Sequence, residues 1–397
     1  MKKLFFSLTV FSLILSSCTS SDDEGTTGPT LGSGELAGEI TTSRTVIKGN
    51  YTLNGVVKIK SGVTLTFDAG SVITADVSNG FDAILVENGG KLIMNGTAAE
   101  PIVCTHITKV AGSWGGIVMY GDAPIVGAAS STTANSEDGI TSNVGGVPTP
   151  YSYGGTNPTH NSGTLRYVRV EYAGKKITDG TSELNGFSFY AVGSGTILEN
   201  LVSYKGNDDG FEFYGGTVSA SNLVSYGNAD DSFDWQDGWR GELNTNWYAY
   251  QVGVGNFGME IEAKSVNNAF GPKVSNITLK RAAGTITEGG SSAAEFDAIQ
   301  FKKQGNGEYT NVLISGYTTV GATAVRIQDA STNNDQVNGN KIKLLGVKIN
   351  DGTTNFAGAT GITVAFPAAN YVVNTTATGA TLSAGAWATV DGVNLLQ

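Results

Sequence analysis

"NDDGFEFYGG" (207–216) is followed 22 residues later by "ADDSFDWQDG" (229–238). Two aspartates and an aromatic–acid–aromatic triplet recur in the same order, so the pair is either one chemical site or two turns of a repeating scaffold. The surrounding sequence supports a repeat. "NLVSY" stands at Asn200 and Asn222, then come "NWYAY" at Asn246, "NITLK" at Asn276, "NVLIS" at Asn311 and "NKIKL" at Asn340, with gaps of 22, 24, 30, 35 and 29 residues. Asparagine tolerates left-handed backbone and bonds to its neighbours, so each one marks a corner before a short strand, and the six stack as a ladder.

A second column accompanies the first. "NGFSF" (185–189), "DGFEF" (209–213), "DSFDW" (231–235), "FGMEI" (257–261) and "DAIQF" (297–301) carry large apolar residues at their third and fifth positions, as do "DAILV" (82–86) and "GGIVM" (115–119) upstream. Period-two alternation sends Phe211, Phe213, Phe233 and Trp235 into a core and Glu212, Asp234 and Glu260 out to solvent. The composition agrees, with 55 glycines, 15% charged residues and almost no helical stripe. The spacing predicts an all-β chain, a right-handed parallel β-helix over 36–397 with coils of about 22 residues and loops inserted at corners. A β-propeller, the main rival, needs blades of roughly 40 residues or more. One stretch, about 121–163, lacks periodicity and reads as a long surface insertion of the kind that often carries function.

Met1-Lys2-Lys3 and the apolar run "LFFSLTVFSLIL" (4–15) read as an export signal over 1–17. "LSSC" (15–18) resembles the lipobox of bacterial lipoproteins, which implies acylation of Cys18 and a membrane anchor. Residues 18–35 are rich in Ser, Thr and Gly, with Asp22, Asp23 and Glu24 together, and read as a flexible tether. That acidic cluster resembles the surface-export signal of Bacteroidota lipoproteins, so the expected location is the outer membrane, facing the extracellular side. No other run is long and apolar enough to cross a bilayer as a helix. Without 1–17 the chain carries 22 basic against 35 acidic residues, a net −13, which excludes nucleic acid and anionic membrane surfaces as partners. Cys104 alternates with apolar neighbours and reads as a buried small hydrophobe, and the two histidines, His106 and His160, lie in separate regions with no sign that they meet.

"SGTLRYVRVEYAG" (162–174), residues 185–216 and "NADDSFDWQDGWRGELNTNWY" (228–248) together resemble a group of β-helix surface lipoproteins of Bacteroidota and marine Gram-negative bacteria, some of which carry the label "multidrug transporter". The resemblance implies fold and location; the group has no established activity, and a transporter does not fit a chain without a membrane span beyond its export signal.

Stacked coils lie roughly 4.8 Å apart, so Asp208, Asp209 and Glu212 sit over Asp230, Asp231 and Asp234, with Glu260 continuing the stripe. Two carboxylates at that spacing repel by about 1 kcal/mol in water and by more than about 3 at an effective dielectric near 20. Calcium suits such a set of oxygen ligands outside a cell. The bland alternative is that the first Asp of each pair caps a corner while Glu212 and Asp234 are solvated. Beside the stripe, Trp239, Arg240, Trp247 and Tyr248 are candidates for ligand binding, Trp239 as an exposed platform for a sugar ring. Two classes of function follow. The first is a non-catalytic module binding glycan or another outer-membrane protein, with adhesion or assembly as a variant. The second is a lyase or hydrolase acting on acidic polysaccharide. "NDDG" (207–210) resembles the Asp pair of polygalacturonase-type hydrolases, but their Gly-His-Gly and Arg-x-Lys elements are missing.

Overall fold

The computed structural model describes residues 30–31, 34–76, 80–177, 182–266, 271–288 and 295–397; the export signal, Cys18 and most of the tether lie outside them. The chain winds as a right-handed parallel β-helix with three sheets. The first sheet stacks Ala83–Val86, Ile117–Tyr120, Phe187–Tyr190, Phe211–Tyr214, Phe233–Gln236, Met259–Ile261, Ile299–Phe301, Thr323–Ile327 and Thr354–Gly358, each parallel to the next. The second and third sheets share long strands bent in the middle, among them Ile197–Tyr204, Ala220–Tyr226, Asn244–Gln251, Lys273–Arg281 and Gly307–Ser315.

The bend is the asparagine ladder. Asn200, Asn222, Asn246, Asn276 and Asn311 all adopt left-handed backbone, with φ between 55° and 58°. Each interrupts the strand pairing for one residue and turns the chain from the second sheet to the third. Their amides bond along the helix axis: Asn222 Nδ2 donates to Asn200 Oδ1 at 3.0 Å, Asn246 Nδ2 to Asn222 Oδ1 at 3.1 Å and Asn311 Nδ2 to Asn276 Oδ1 at 2.7 Å. Asn340 is not part of this ladder. The register Thr310↔Leu345 and Val312↔Val347 sets Gly346 opposite Asn311, at φ 96°, a conformation open to glycine without steric cost. The sequence pattern misplaced this corner because Asn340 also precedes a strand, but it closes the helical turn before it.

Inside the coils, Phe187, Phe211 and Phe233 stack at 4.9 and 5.7 Å between ring centres, the spacing that the strand pairing imposes. Cys104 is fully buried in the same core, and burial pushes its thiol pKa up. His106 bonds Thr108, whereas His160 bonds Ser162, so the two histidines have separate partners.

Two outer faces are covered by the chain itself. The insertion leaves the first sheet after Tyr120, re-enters the second at Gly163, and lies over the outer side of the first sheet. Its Tyr151 stacks on Tyr120 at 5.0 Å, which continues through Tyr190 and Tyr214 at 4.9 and 3.9 Å. The last coil ends at Tyr371–Val373, and residues 374–397 double back over the third sheet rather than adding coils, which corrects the expectation of a solenoid out to 397. Trp387 is buried there with its ring edge-on to Tyr167, and Arg169 Nη1 donates to the carbonyls of Ala386 at 2.9 Å and Thr389 at 3.0 Å. At the other end, Thr30–Leu31 and Gly34–Ile40 are already strands, so the end of the segment read as a tether belongs to the sheets. No helix among the described residues is long and apolar enough to cross a membrane.

Candidate functional site

The register confirms the acidic stripe. Glu212 pairs with Asp234 and Asp234 with Glu260, on the side of the first sheet opposite Phe211, Phe213, Phe233 and Trp235. The corner before each strand adds Asp208 and Asp209, then Asp230 and Asp231. The expectation that Glu212, Asp234 and Glu260 face solvent fails. Every residue of Phe211–Tyr214 and Phe233–Gln236 is buried, on both sides of the sheet, and Glu260 is nearly so. Period-two reasoning gives the side of the sheet correctly; what covers that side comes from segments far away in the chain.

The aspartate pairs divide their work. Asp209 Oδ1 accepts the backbone N–H of Asp231 at 2.8 Å, and Asp231 Oδ1 accepts that of Phe257 at 2.6 Å. It is therefore the second Asp of each pair, not the first, that caps the next coil. Asp208 instead shares a hydrogen bond with Glu183, and Asp230 accepts from the Asn256 amide. Glu212 accepts from Asn185 Nδ2 at 2.6 Å, from Gln236 Nε2 at 3.0 Å and from the Tyr214 hydroxyl. Asp234 differs: its Oδ1 is sealed from solvent and accepts no hydrogen bond.

Burial, reinforced by the neighbouring carboxylates, holds the carboxyls of Asp208, Asp209, Asp231 and Asp234 well above their usual range. Burial also lifts Glu212 to about 8 and Asp230 to about 7. Lys302, absent from the sequence-level site, reaches into the stripe, bonding Glu260 and lying 3.5 Å from Glu262. Burial alone would lower its pKa, but Glu260, Asp234 and Glu262 outweigh that and raise it, so the amine stays charged. The register Ile261↔Phe301 places Lys302 beside Glu262, so aligning "FGMEIEAK" with "DAIQFKK" would have found it. Glu183 had no comparable signal, because it lies outside the repeat.

The donor set fits a hard divalent cation. Oxygens of Asp209, Glu212 and Asp234 lie within 4.8 Å of one another, as do those of Asp231, Asp234 and Glu260, of Asp209, Asp230 and Asp231, and of Glu183, Asp208 and Asp230. Oxygens on opposite sides of a calcium ion are separated by up to about 5 Å. An all-oxygen set with one carboxylate oxygen left unpaired in the interior is what a calcium ion would complete.

The aromatic candidates resolve differently. Trp239 and Trp247 are core residues, 1% and 0% exposed, with indole N–H groups donating to Val218 and Ala220 carbonyls at 3.0 Å. Trp239 stacks on Phe213 at 4.5 Å and is not an exposed platform; a Cβ at Gly241 would come within 2.6 Å of its inward-turned ring. Tyr248 lies under the C-terminal segment and donates to the Gln397 carbonyl at 2.5 Å. Arg240 is half-buried, its N–H bonded to the Gly216 carbonyl. The exposed apolar residue of this stretch is Leu243, 83% exposed.

A second constellation was invisible in the sequence. Ser162 Oγ lies 3.2 Å from His160 Nδ1, and His160 Nε2 lies 3.9 Å from Asp122 Oδ1. Ser162 is fully buried and its hydroxyl also reaches the Tyr120 carbonyl at 3.2 Å, so it anchors the end of the insertion and offers no accessible nucleophile.

The family described as "Pectate-lyase like beta helix domain" matches residues 38–390. The chain belongs to this family. No curated protein and no solved structure gives a match. Within the pectate-lyase-like β-helix family, a fold shared with enzymes acting on polysaccharide directs attention to polymers, while the chemistry must be argued from the site itself.

Proposed function

We propose that this pectate-lyase-like β-helix is a non-catalytic glycan-binding module, held at the outer membrane through acylated Cys18, with calcium bound in the acidic stripe as a structural element. One observation carries the reading: although Asp230 and Glu260 keep partial exposure, Asp208, Asp209, Glu212, Asp231 and Asp234 are buried at the stripe beside the insertion and the flanking loops. A polymer has no access to the buried carboxylates, and the lysine at the stripe is a charged ion-pair partner rather than a free base. Among Asp208, Asp209, Glu212, Asp230, Asp231, Asp234 and Glu260, joined by Glu183, a triplet such as Asp209, Glu212 and Asp234 would hold the cation, which would tie successive coils together.

The test incubates the protein, starting near Leu31, with neutral and acidic polysaccharides, with calcium and then with chelator, followed by size exclusion. Co-elution without shortening supports a binding module. Shortening of the polymer would establish the lyase or hydrolase reading that the family suggests. Neither result would direct the search to a protein partner at the cell surface, as in adhesion or assembly. For the anchor, Cys18→Ala is expected to move the protein from the membrane to the soluble fraction, and retention at the membrane would refute the lipoprotein assignment.

A further inference from the structure

The insertion covers the first sheet and the C-terminal segment covers the third, while the second sheet stays open around residues 242–245, 273–275 and 308–310. A groove of about 290 Å³ runs there, lined by exposed Leu243, half-buried Ser275 and Thr310, and the charged side chains of Glu242, Lys273 and Glu308. The register places Lys273 opposite Glu308 and Ser275 opposite Thr310, so these side chains recur at the coil spacing. The lining is braced from within: Asn244 Nδ2 donates to the carbonyls of Gly241 at 2.7 Å and Lys273 at 3.0 Å, and its Oδ1 accepts the Ala220 N–H at 2.8 Å.

We propose that this groove is the glycan subsite and that its ligand is a neutral polysaccharide; the inference rests on the glycan-binding reading above. An exposed leucine offers an apolar surface for the C–H side of a sugar ring. Carboxylates and hydroxyls accept and donate to ring hydroxyls, and Lys273 supplies a cationic donor. A volume near the lower end of ligand pockets, roughly 300 Å³, suits one sugar unit with its neighbours running out over the flat sheet. Local charge selects the polymer. Glu242 and Glu308 balance Lys273 and Lys343, the latter 3.5 Å from Glu308, so the groove offers no net attraction to an anion. The chain as a whole carries −11, which repels polyuronates.

Affinity electrophoresis through gels containing galactomannan, xylan or polygalacturonate tests this. Wild type is expected to be retarded by a neutral polymer and not by polygalacturonate. The Leu243→Ala/Lys273→Ala variant should lose at least tenfold in affinity with an unchanged melting temperature, since both side chains are exposed; Lys91→Ala, elsewhere on the same sheet, should bind like wild type. Unchanged retardation of the double variant, or stronger retardation by polygalacturonate, would overturn the subsite while leaving glycan binding intact. A wild type retarded by none of the three would overturn both.

Discussion

The outer faces of the first and third sheets are covered by the chain itself, but in opposite chemical terms. Over the third sheet, Trp387, Val390 and Leu395 pack onto Val202, Tyr204, Val224 and Tyr226, an apolar contact that is complete without any ligand. Over the first sheet, the insertion closes down beside a stripe of carboxylates, one of whose oxygens has no partner. The same coil geometry thus supports one cover that is self-sufficient and one that needs protons or a cation. Apolar burial removes surface from water at no electrostatic cost, whereas buried carboxylates must be neutralised.

The contrast can be broken most forcefully at the C-terminal cover. Trp387→Ala is expected to cost about 3–5 kcal/mol, measured by denaturant unfolding, and to cost the same with calcium or chelator. A loss that depended on calcium would mean that the two covers are coupled. On the acidic side, calcium at a hundred times its dissociation constant is expected to stabilise the fold by about 2.7 kcal/mol, seen as a fall in melting temperature on chelation. Asp209→Asn with Asp231→Asn should abolish that response; a double variant that still responded would rule out the stripe as the binding site.

The pH dependence sharpens the comparison further. Glu212 and Asp230 titrate near 8 and 7 when folded, against ordinary values of 4.5 and 3.8, so the folded state holds protons that the unfolded state has released. Stability from these groups is complete below about pH 4 and falls as pH rises toward 8. Bound calcium would compete with those protons, so on the calcium proposal the calcium-induced rise in melting temperature is expected to grow between pH 5 and 8.5. A rise that stays constant over that range would refute the competition. The smallest effect belongs to the corner that the second and third sheets share. Asn246→Ala, at φ 57°, is expected to cost about 1–2 kcal/mol through backbone strain and the lost amide bond, independent of calcium. No measurable loss on thermal unfolding would mean that the ladder records the corner without stabilising it.

Much of this architecture is legible in the sequence alone. The spacing of Asn200, Asn222, Asn246, Asn276 and Asn311 located the corners, and the alternation in "FEF" and "FDW" gave the correct inner and outer sides. The acidic stripe was legible for the same reason, since coil register follows directly from the repeat. Gly346 in place of Asn340 was not, because a glycine corner leaves no asparagine to read. Trp239 was misread because local sequence says that a loop bends there without saying which way the ring points.

Sequence by itself therefore determined the β-helix, its period and the alignment of carboxylates on one side, because these depend on strand parity and on contacts between successive coils. Only the tertiary structure decided that the carboxylates are buried, that Lys302 and Glu183 join them, that the aromatics belong to the core and that the second sheet remains open. Those facts depend on where the insertion and the C-terminal segment come to rest. Both lie outside the repeat, and their docking is set by contacts across many coils that no local pattern encodes.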